Sequence, residues 1–457
     1  MKSRQLLSIS KIVILVINLV LLVAVSQQSA AQTAKPNANS SAITGEIKWY
    51  KGNLHTHSLW SDGNDFPEMI ADWYVKNGYH FLALSDHNIL SKGDRWMTLR
   101  DVNRRGGALA LGKYQKRFGD KWVQLRGEGN DKAVKLQPLD KFRTLFEKPG
   151  AFLMIQAEEI TDRFGRAPVH INATNIQILI KPQHGKSVQD VMRRNLKLVQ
   201  EQSRKLGKPI IAHLNHPNFG YGVTAEDVAA VVEDRFFEVY NGHPGVRQLG
   251  DAQHASVDRL WDIANTIRIG EMKAPPLFGV GTDDSHNYHQ RGGAASAIRR
   301  SEPGRGWVMV KSKSLQTSAI INAMMAGEFY ASSGVTLEDV KFDQSAKKLQ
   351  LKIKPQDGAT YVTQFIGTRK GYDNKSKPHL DKNGKPLVAT KQYSKDVGQV
   401  LATVKGVAPA YQLKGDELYV RAVVVSSQAH VNPSIKGQKK QAWTQPIGWR
   451  GLVKKAK

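Results

Sequence analysis

The stretch Trp49-Tyr50-Lys51-Gly52-Asn53-Leu54-His55-Thr56-His57 decides the reading of the whole chain. Its aromatic and apolar half has the composition of a β-strand, and it runs into two histidines two residues apart. Residues i and i+2 of a strand point to one face, so both imidazoles can reach the same point. The arrangement recurs outward from there. Asp62 follows in Ser61-Asp62-Gly63, and later apolar runs end in Ser85-Asp86-His87, Glu158-Glu159, His170, His213-Leu214-Asn215-His216-Pro217 and Asp283-Asp284-Ser285-His286. Each group falls at or just past the predicted carboxyl end of a strand, the edge at which parallel α/β proteins build their sites.

Between these groups short apolar runs alternate with amphipathic ones, the signature of β-α units around a largely parallel sheet. The pattern predicts strands over 47–55, 79–86, 151–158, 168–176, 208–214, 236–240 and 277–283, and helices near 66–77, 187–206, 225–232, 255–266 and 314–326. In the second helix Val188, Val191, Met192, Leu196 and Val199 keep i, i+3, i+4 spacing, and Gly207 supplies the stop. Residues 92–148, rich in Gly, Arg and Lys, are too long for one connection and read as an insertion over one face, where long loops often form lids. From 336 the period changes to two: Leu349, Leu351 and Ile353 alternate with Gln350, Lys352 and Lys354. Residues 336–457 are therefore expected to form an all-β, sandwich-like domain behind an α/β domain of 47–335.

A chain of 457 residues, 40% hydrophobic and 23% charged, is a folded protein larger than a small binding module. The absence of cysteine excludes disulfides, thiolate metal sites and cysteine nucleophiles, leaving the 14 histidines as the residues to follow. Lys plus Arg outnumber Asp plus Glu by 66 to 40, a net charge of +26 that draws anions. Lys2, Arg4 and Lys11 precede the apolar run Ile12 to Val25, followed by the small residues Ser29, Ala30 and Ala31. That layout predicts a signal peptide over 1–31, then a polar linker over 32–46, and an exported, periplasmic or extracellular protein without a stable membrane anchor after cleavage. The chain has no Gly-x-Ser-x-Gly elbow, phosphate-binding P-loop or dinucleotide fingerprint, and nothing suggests an organic cofactor.

Imidazoles with carboxylates and no sulfur suit zinc, manganese, iron or nickel better than calcium. About nine candidate donors exceed what one tetrahedral ion accepts, so two or three divalent ions are expected. Ions so placed lower the pKa of bound water to about 7 and clamp the attacking and leaving oxygens of a hydrolysis. Adjacent or near alternatives stand at Glu158 and Glu159, at His213 and His216, and at Asp283 and Asp284. Asp86 reads as an acceptor for the second N–H of a histidine rather than as a ligand.

From about residue 47 to 335 these motifs resemble the polymerase and histidinol phosphatase (PHP) superfamily of metal-dependent hydrolases: His-x-His, Ser-Asp-Gly, Ser-Asp-His, a strand-end Glu, two isolated histidines and Asp-x-His come in that family's order. The resemblance implies a distorted (β/α)7, TIM-like barrel and a trinuclear centre. His55, His57, Glu158 and Asp284 would hold a first ion; Glu158 would bridge to a second held by His170 and His216; Asp62, His87 and His286 would hold a third. A metal-bound hydroxide would be positioned by Glu158 and Asp284. Asp284 is preferred to Asp283 because the family spacing is Asp-x-His and a strand would put it on the face of His286. His216 is preferred to His213 because Pro217 ends the strand there, and Glu159 stays as the alternative to Glu158. The opening Trp49 to His55 and the late Ala442-Trp443-Thr444-Gln445-Pro446-Ile447 further resemble exported PHP proteins of the carbaryl-hydrolase type, which implies reach toward carbamate and aryl esters.

The function expected first is a metal-dependent phosphoesterase acting on a small anionic substrate. Arg163, Arg166 and Arg291 are candidates for pairing with phosphate oxygens, and Glu238, Asn241 and His243 for orienting the substrate from the same rim. A carboxyl or carbamate ester hydrolase would instead need an apolar slot, for which Trp60, Trp96 and Phe164 are available. A secreted binding protein with a non-catalytic barrel is the reading from another class. Nucleic acid is not favoured, because no Arg-rich helix or aromatic ladder stands out.

Overall fold

The strands expected up to residue 283 all form. They are β1 (Lys48–Asn53), β2 (Phe81–Leu84), β3 (Leu153–Phe164), β4 (Ala167–Thr174), β5 (Ile211–Leu214), β6 (Phe236–Asn241) and β7 (Phe278–Thr282), followed by β8 (Trp307–Ser312) and β9 (Phe329–Ser332). This computed structural model describes residues 46–289 and 298–454, so the expected signal peptide, most of the linker and Arg291 lie outside the described residues. Within one sheet the strands stand in the order β7-β6-β5-β4-β3-β2-β1-β8-β9. Pairing is parallel for β1/β2, β2/β3, β5/β6 and β6/β7. It is antiparallel on both sides of β4, the exception within the largely parallel series that the alternation predicts. Only Gly165 and Arg166 separate β3 from β4, and Gly165 at φ 57° makes the tight turn that forces a hairpin.

Just past its end, β7 meets the end of β1. The Asp284 N–H donates to the His55 carbonyl and the His57 N–H to the Ser285 carbonyl, each at 3.0 Å, with Thr56 and Ser285 bridged in parallel. The first and last strands of the series are thus joined at the residues that carry the motifs.

Helices α1 (Pro67–Lys76), α2 (Val188–Leu206), α3 (Ala225–Ala230), α4 (Val257–Thr266) and α5 (Thr317–Ala326) connect or flank the strands. In α2 the Ser187 side chain caps the first turn, and Gly207 ends the helix in the left-handed conformation. Its stripe of Val191, Met192 and Leu196 is buried against Val169, Ile171 and Leu214 of the sheet. The insertion folds on itself as a small antiparallel sheet (Arg95–Thr98, Leu125–Arg126, Ala133–Leu136) with two helices (Leu99–Gly106, Ala110–Phe118). Its Met97, Val102, Tyr114, Val134 and Leu136 form one core with Leu59, Trp60 and Phe66. It therefore buttresses the loop that follows β1.

The C-terminal strands are β10 (Leu337–Asp343), β11 (Lys348–Ile353), β12 (Tyr361–Arg369), β13 (Gln399–Lys405), β14 (Ala410–Gln412), β15 (Glu417–Ala429) and β16 (Lys439–Thr444). Strand β16 pairs with β9, so the large sheet continues without a break through β16-β15-β12-β13, while β10, β11 and β14 form a second sheet. The period-two residues Leu349, Leu351 and Ile353 are buried with Tyr361, Phe365, Val420 and Val424 between these strands. Residues Glu46–Lys457 make one compact unit, and no described helix is long and apolar enough to cross a membrane.

Candidate metal centre

Four donor atoms converge where β1 and β7 meet. His55 Nε2 and His57 Nε2 lie 3.1 Å apart, Asp284 Oδ1 is 3.3 Å from each, and Glu159 Oε2 is 3.5 and 3.4 Å from them. Donors held tetrahedrally at 2.0–2.2 Å from a shared cation would stand about 3.3–3.6 Å apart. The observed spacing therefore fits the ligand shell of an ion. His57 Nδ1 is buried and makes no hydrogen bond, an arrangement that costs free energy unless something else satisfies it.

The centre extends on two sides. Glu159 turns its other oxygen to His170 Nδ1 at 3.0 Å and His216 Nε2 at 3.6 Å, and its Oε2 also lies 2.8 Å from His87 Nδ1. Asp62 stands 3.3 Å from His286, 3.4 Å from His87 and 3.7 Å from His57. The His57 ring stacks with those of His87 and His286, with centroids 4.4 and 4.1 Å away. Overlapping groups able to hold a cation thus include His55–His57–Glu159, His55–His216–Asp284, His87–Glu159–His170 and His57–Asp62–His87–His286. Asp62 alone among these carboxylates is exposed, at 54% of its side chain, and marks the open side.

Electrostatics follow from the packing. Burial opposes a charge on His55, but Asp284, Glu238 and Glu159 outweigh it and hold its pKa well above the usual value. His57 is equally buried and sits beside His286 and His87, so its pKa falls to about 3. Against the cost of burial, the histidines around Glu159 and Asp284 keep both carboxyls well below the ordinary range.

The expectation that Glu158 holds and bridges the ions is corrected. Neighbouring residues of a strand face opposite ways, and β3 turns Glu159 to the cluster. Glu158 points to the other side, where its Oε1 accepts the Ile180 N–H at 2.8 Å, its Oε2 has no partner, and burial pushes its pKa up to about 8. Asp284 does reach the cluster, but not by strand alternation. Strand β7 ends at Thr282, and Asp284 has φ 47°, a left-handed turn that aims the carboxylate back at His55 and His57. Asp283 instead organises the backbone nearby, accepting the Tyr74 hydroxyl at 2.7 Å and the N–H groups of Gly304, Arg305 and Gly306 at 2.9, 2.6 and 2.8 Å. His216 joins the cluster. His213 lies behind His55, with its Nε2 3.5 Å from Glu238 Oε1. His170 belongs to the middle of the antiparallel β4, not to a strand's carboxyl end.

Positioning residues surround these donors. Glu238 Oε1 is 2.6 Å from His55 Nδ1 and accepts the Thr282 hydroxyl at 2.7 Å, while Oε2 accepts the His216 N–H at 2.7 Å and Asn241 Nδ2 at 2.8 Å. A carboxylate on Nδ1 keeps the ring proton there and leaves the Nε2 lone pair aimed at the centre. Asn241 also donates to Asp284 Oδ2 at 3.1 Å. Glu238 and Asn241, expected to orient substrate, orient the donors instead. Asp86 takes no histidine N–H; it accepts both the N–H and the hydroxyl of Ser58 (2.8 and 2.8 Å) and of Ser61 (3.1 and 2.6 Å), shaping the loop that carries Asp62. Gly63 is needed in that loop because a Cβ would lie 2.4 Å from the His57 carbonyl oxygen.

The expected substrate contacts fare differently. Arg163 and Arg166 are exposed at the β3–β4 turn. Trp60 is buried beneath the insertion, Trp96 lies under the Arg126 guanidinium at 4.3 Å, and Phe164 is exposed at the hairpin tip. None of the three lines the cluster as an apolar slot. The aromatic ring that does stand there, Phe219, was missed by sequence reasoning, although it lies only three residues after His216.

No family model matches the chain. A stretch of 43 residues, 9% of this chain, is 42% identical to the DNA polymerase/3'-5' exonuclease PolX of Bacillus subtilis (strain 168), of which it spans 8%. Among solved structures, the chain is similar to a two-domain protein of Bacteroides vulgatus described as containing a predicted PHP-like metal-dependent phosphoesterase, at 14% identity and TM-score 0.37 over 88% of this chain and 96% of that one. It is also similar to a protein of Bifidobacterium adolescentis described as a proposed metal-dependent phosphoesterase, at 12% identity and TM-score 0.27 over 54% and 92% of the two chains.

Proposed function

We propose that this chain is an exported, metal-dependent phosphoesterase of the PHP type, with its barrel closed at the β1–β7 junction. The observation that carries the reading is the convergence of His55, His57, Glu159 and Asp284 at ligand-shell spacing, with Glu159 turning its second oxygen to His170 and His216. His55, His57, Glu159 and Asp284 would hold one divalent ion, Glu159, His170 and His216 a second, and Asp62, His87 and His286 a third. Such ions supply an activated water and neutralise phosphate oxygens. The rest falls to the chain itself. Glu238 holds the His55 proton on Nδ1, Asn241 fixes Asp284, and Asp86 with Gly63 shapes the loop from which Asp62 faces solvent. The net positive charge of the chain favours anionic substrates in general.

The test is turnover by the purified protein supplied with Mn²⁺ or Zn²⁺, comparing phenyl phosphate with 1-naphthyl N-methylcarbamate and using His57→Ala as the blank. Phosphate release that is lost in the blank is the expected result. Carbamate cleavage without phosphate release would move the activity to an ester hydrolase, and no turnover of either would refute the enzyme reading.

A further inference from the structure

Phe219 places a partly exposed aromatic ring beside the histidines of the centre. It is 38% exposed, and its ring centroid lies 5.1 Å from that of His216, 6.3 Å from His170 and 6.4 Å from His243. Hydrogen bonds hold its turn firmly. The Phe219 N–H donates to the His216 carbonyl at 2.8 Å and the Tyr221 N–H to the Asn218 carbonyl at 3.0 Å. The buried Asn218 ties this turn to the next by donating to the Arg247 and Ala255 carbonyls at 3.3 and 2.9 Å.

Across from Phe219 the second turn presents His243, whose ring is 5.6 Å from that of His286. The Gly245 N–H donates to His243 Nδ1 at 3.0 Å. A backbone N–H can only donate, so Nδ1 is the acceptor and the neutral ring carries its proton on Nε2. Asn241 accepts the His243 N–H at 2.7 Å and so joins this turn to Asp284. Gly245 lets the two turns approach closely. A Cβ there would lie 3.0 Å from the His243 ring and 3.8 Å from that of Phe219.

We propose that Phe219 and His243 form the leaving-group subsite of the centre, and that it takes phosphate esters of planar, aromatic alcohols. The inference rests on the phosphoesterase reading and narrows its substrate class. The flat group stacks on Phe219, and the Nε2–H of His243 donates to an ester oxygen. In the reaction a water oxygen bonds to phosphorus and the P–O bond to the alcohol breaks. The electron pair stays on the alcohol oxygen and a water proton ends there, giving alcohol and inorganic phosphate with no other reactant.

Benzyl phosphate and cyclohexylmethyl phosphate test this, because their alcohols are similar in size and basicity and differ in planarity. The wild-type protein is expected to favour the benzyl ester in kcat/KM by about tenfold, the order found for stacking on an aromatic side chain. Phe219→Leu should bring that ratio to near unity and Phe219→Tyr should restore it. Binding of benzylphosphonate against cyclohexylmethylphosphonate by calorimetry should show the same preference without turnover. Gly245→Val, whose side chain would press on the His243 ring and crowd Phe219, should weaken benzylphosphonate binding even if Phe219→Leu fails to fold. Equal use of both esters by the wild type, or an unchanged preference in Phe219→Leu, would overturn the subsite and leave the phosphoesterase standing. Turnover of neither, with no phosphonate bound, would overturn both.

Discussion

Arg421 and Asp262 join the C-terminal strands to the helices around the centre, and replacing Arg421 by methionine should show how firmly. Arg421 on β15 gives Asp262 on α4 two parallel hydrogen bonds of 2.8 and 2.6 Å, and its guanidinium lies 4.6 Å above the Trp261 ring. Both residues are buried, and the Tyr419 hydroxyl also donates to Asp262 at 2.8 Å. Removing one partner of a buried pair costs about 3–5 kcal/mol, because the other is left as an uncompensated charge. The Tyr419 bond survives in Arg421→Met, and methionine refills the space over Trp261, so the lower end, about 3 kcal/mol, is expected. Arg421→Met with Asp262→Asn neutralises the buried Asp262, while Asp258, 3.2 Å from Arg421 and partly exposed, keeps its charge, so the pair of changes should recover up to about 2 kcal/mol of that. Urea unfolding followed by tryptophan fluorescence measures both, with Trp261 and Trp443 at the seam. A single cooperative transition is also expected, since one sheet runs through the whole unit. A cost below about 1 kcal/mol for Arg421→Met, or a double variant no more stable than the single, would refute this account of the seam.

Glu68 accepts the Tyr114 hydroxyl and the Trp122 N–H at 2.6 and 2.9 Å, and burial raises its pKa from 4.5 to about 7. A raised carboxyl pKa favours the protonated native state, so this contribution is complete below pH 4.5 and is lost as pH rises to 7; Glu68→Gln should match wild type within about 1 kcal/mol at pH 5 and exceed it by up to about 3 kcal/mol at pH 8 in urea titrations. Glu238→Ala takes away the acceptor on His55 Nδ1 and should weaken Mn²⁺ affinity by about 10–100-fold in metal titrations. If metal saturates each site at about a hundredfold excess over its Kd, chelation should lower Tm by about 3 °C per bound ion for a unit of this length, read by calorimetry.

How much was legible in the sequence depended on how local the deciding geometry was. His55 and His57 could be paired from strand alternation alone, and Leu349, Leu351 and Ile353 from their period. Glu158 and Glu159 could not be separated, because a shift of one residue exchanges the faces of a strand, and the face is set by pairing with partners far along the chain. Asp284 came from motif spacing, while the left-handed turn that delivers it is a backbone property with no sequence signature. The reversal of β4 hangs on the two-residue connection Gly165-Arg166. Glu238 carried a signal, a carboxylate inside the apolar run Phe236 to Tyr240, but its role shows only when His55 packs against it. The purpose of Phe219 depends in the same way on the rings that gather around it.

The most direct measurement is the number of divalent ions per chain, by mass spectrometry after Mn²⁺ or Zn²⁺ loading, in the wild type, Glu159→Gln and Glu158→Gln. The account predicts two or three ions in the wild type and in Glu158→Gln, and at least one fewer in Glu159→Gln. Metal loss in Glu158→Gln with full retention in Glu159→Gln, or a wild type that holds no ion, would contradict it.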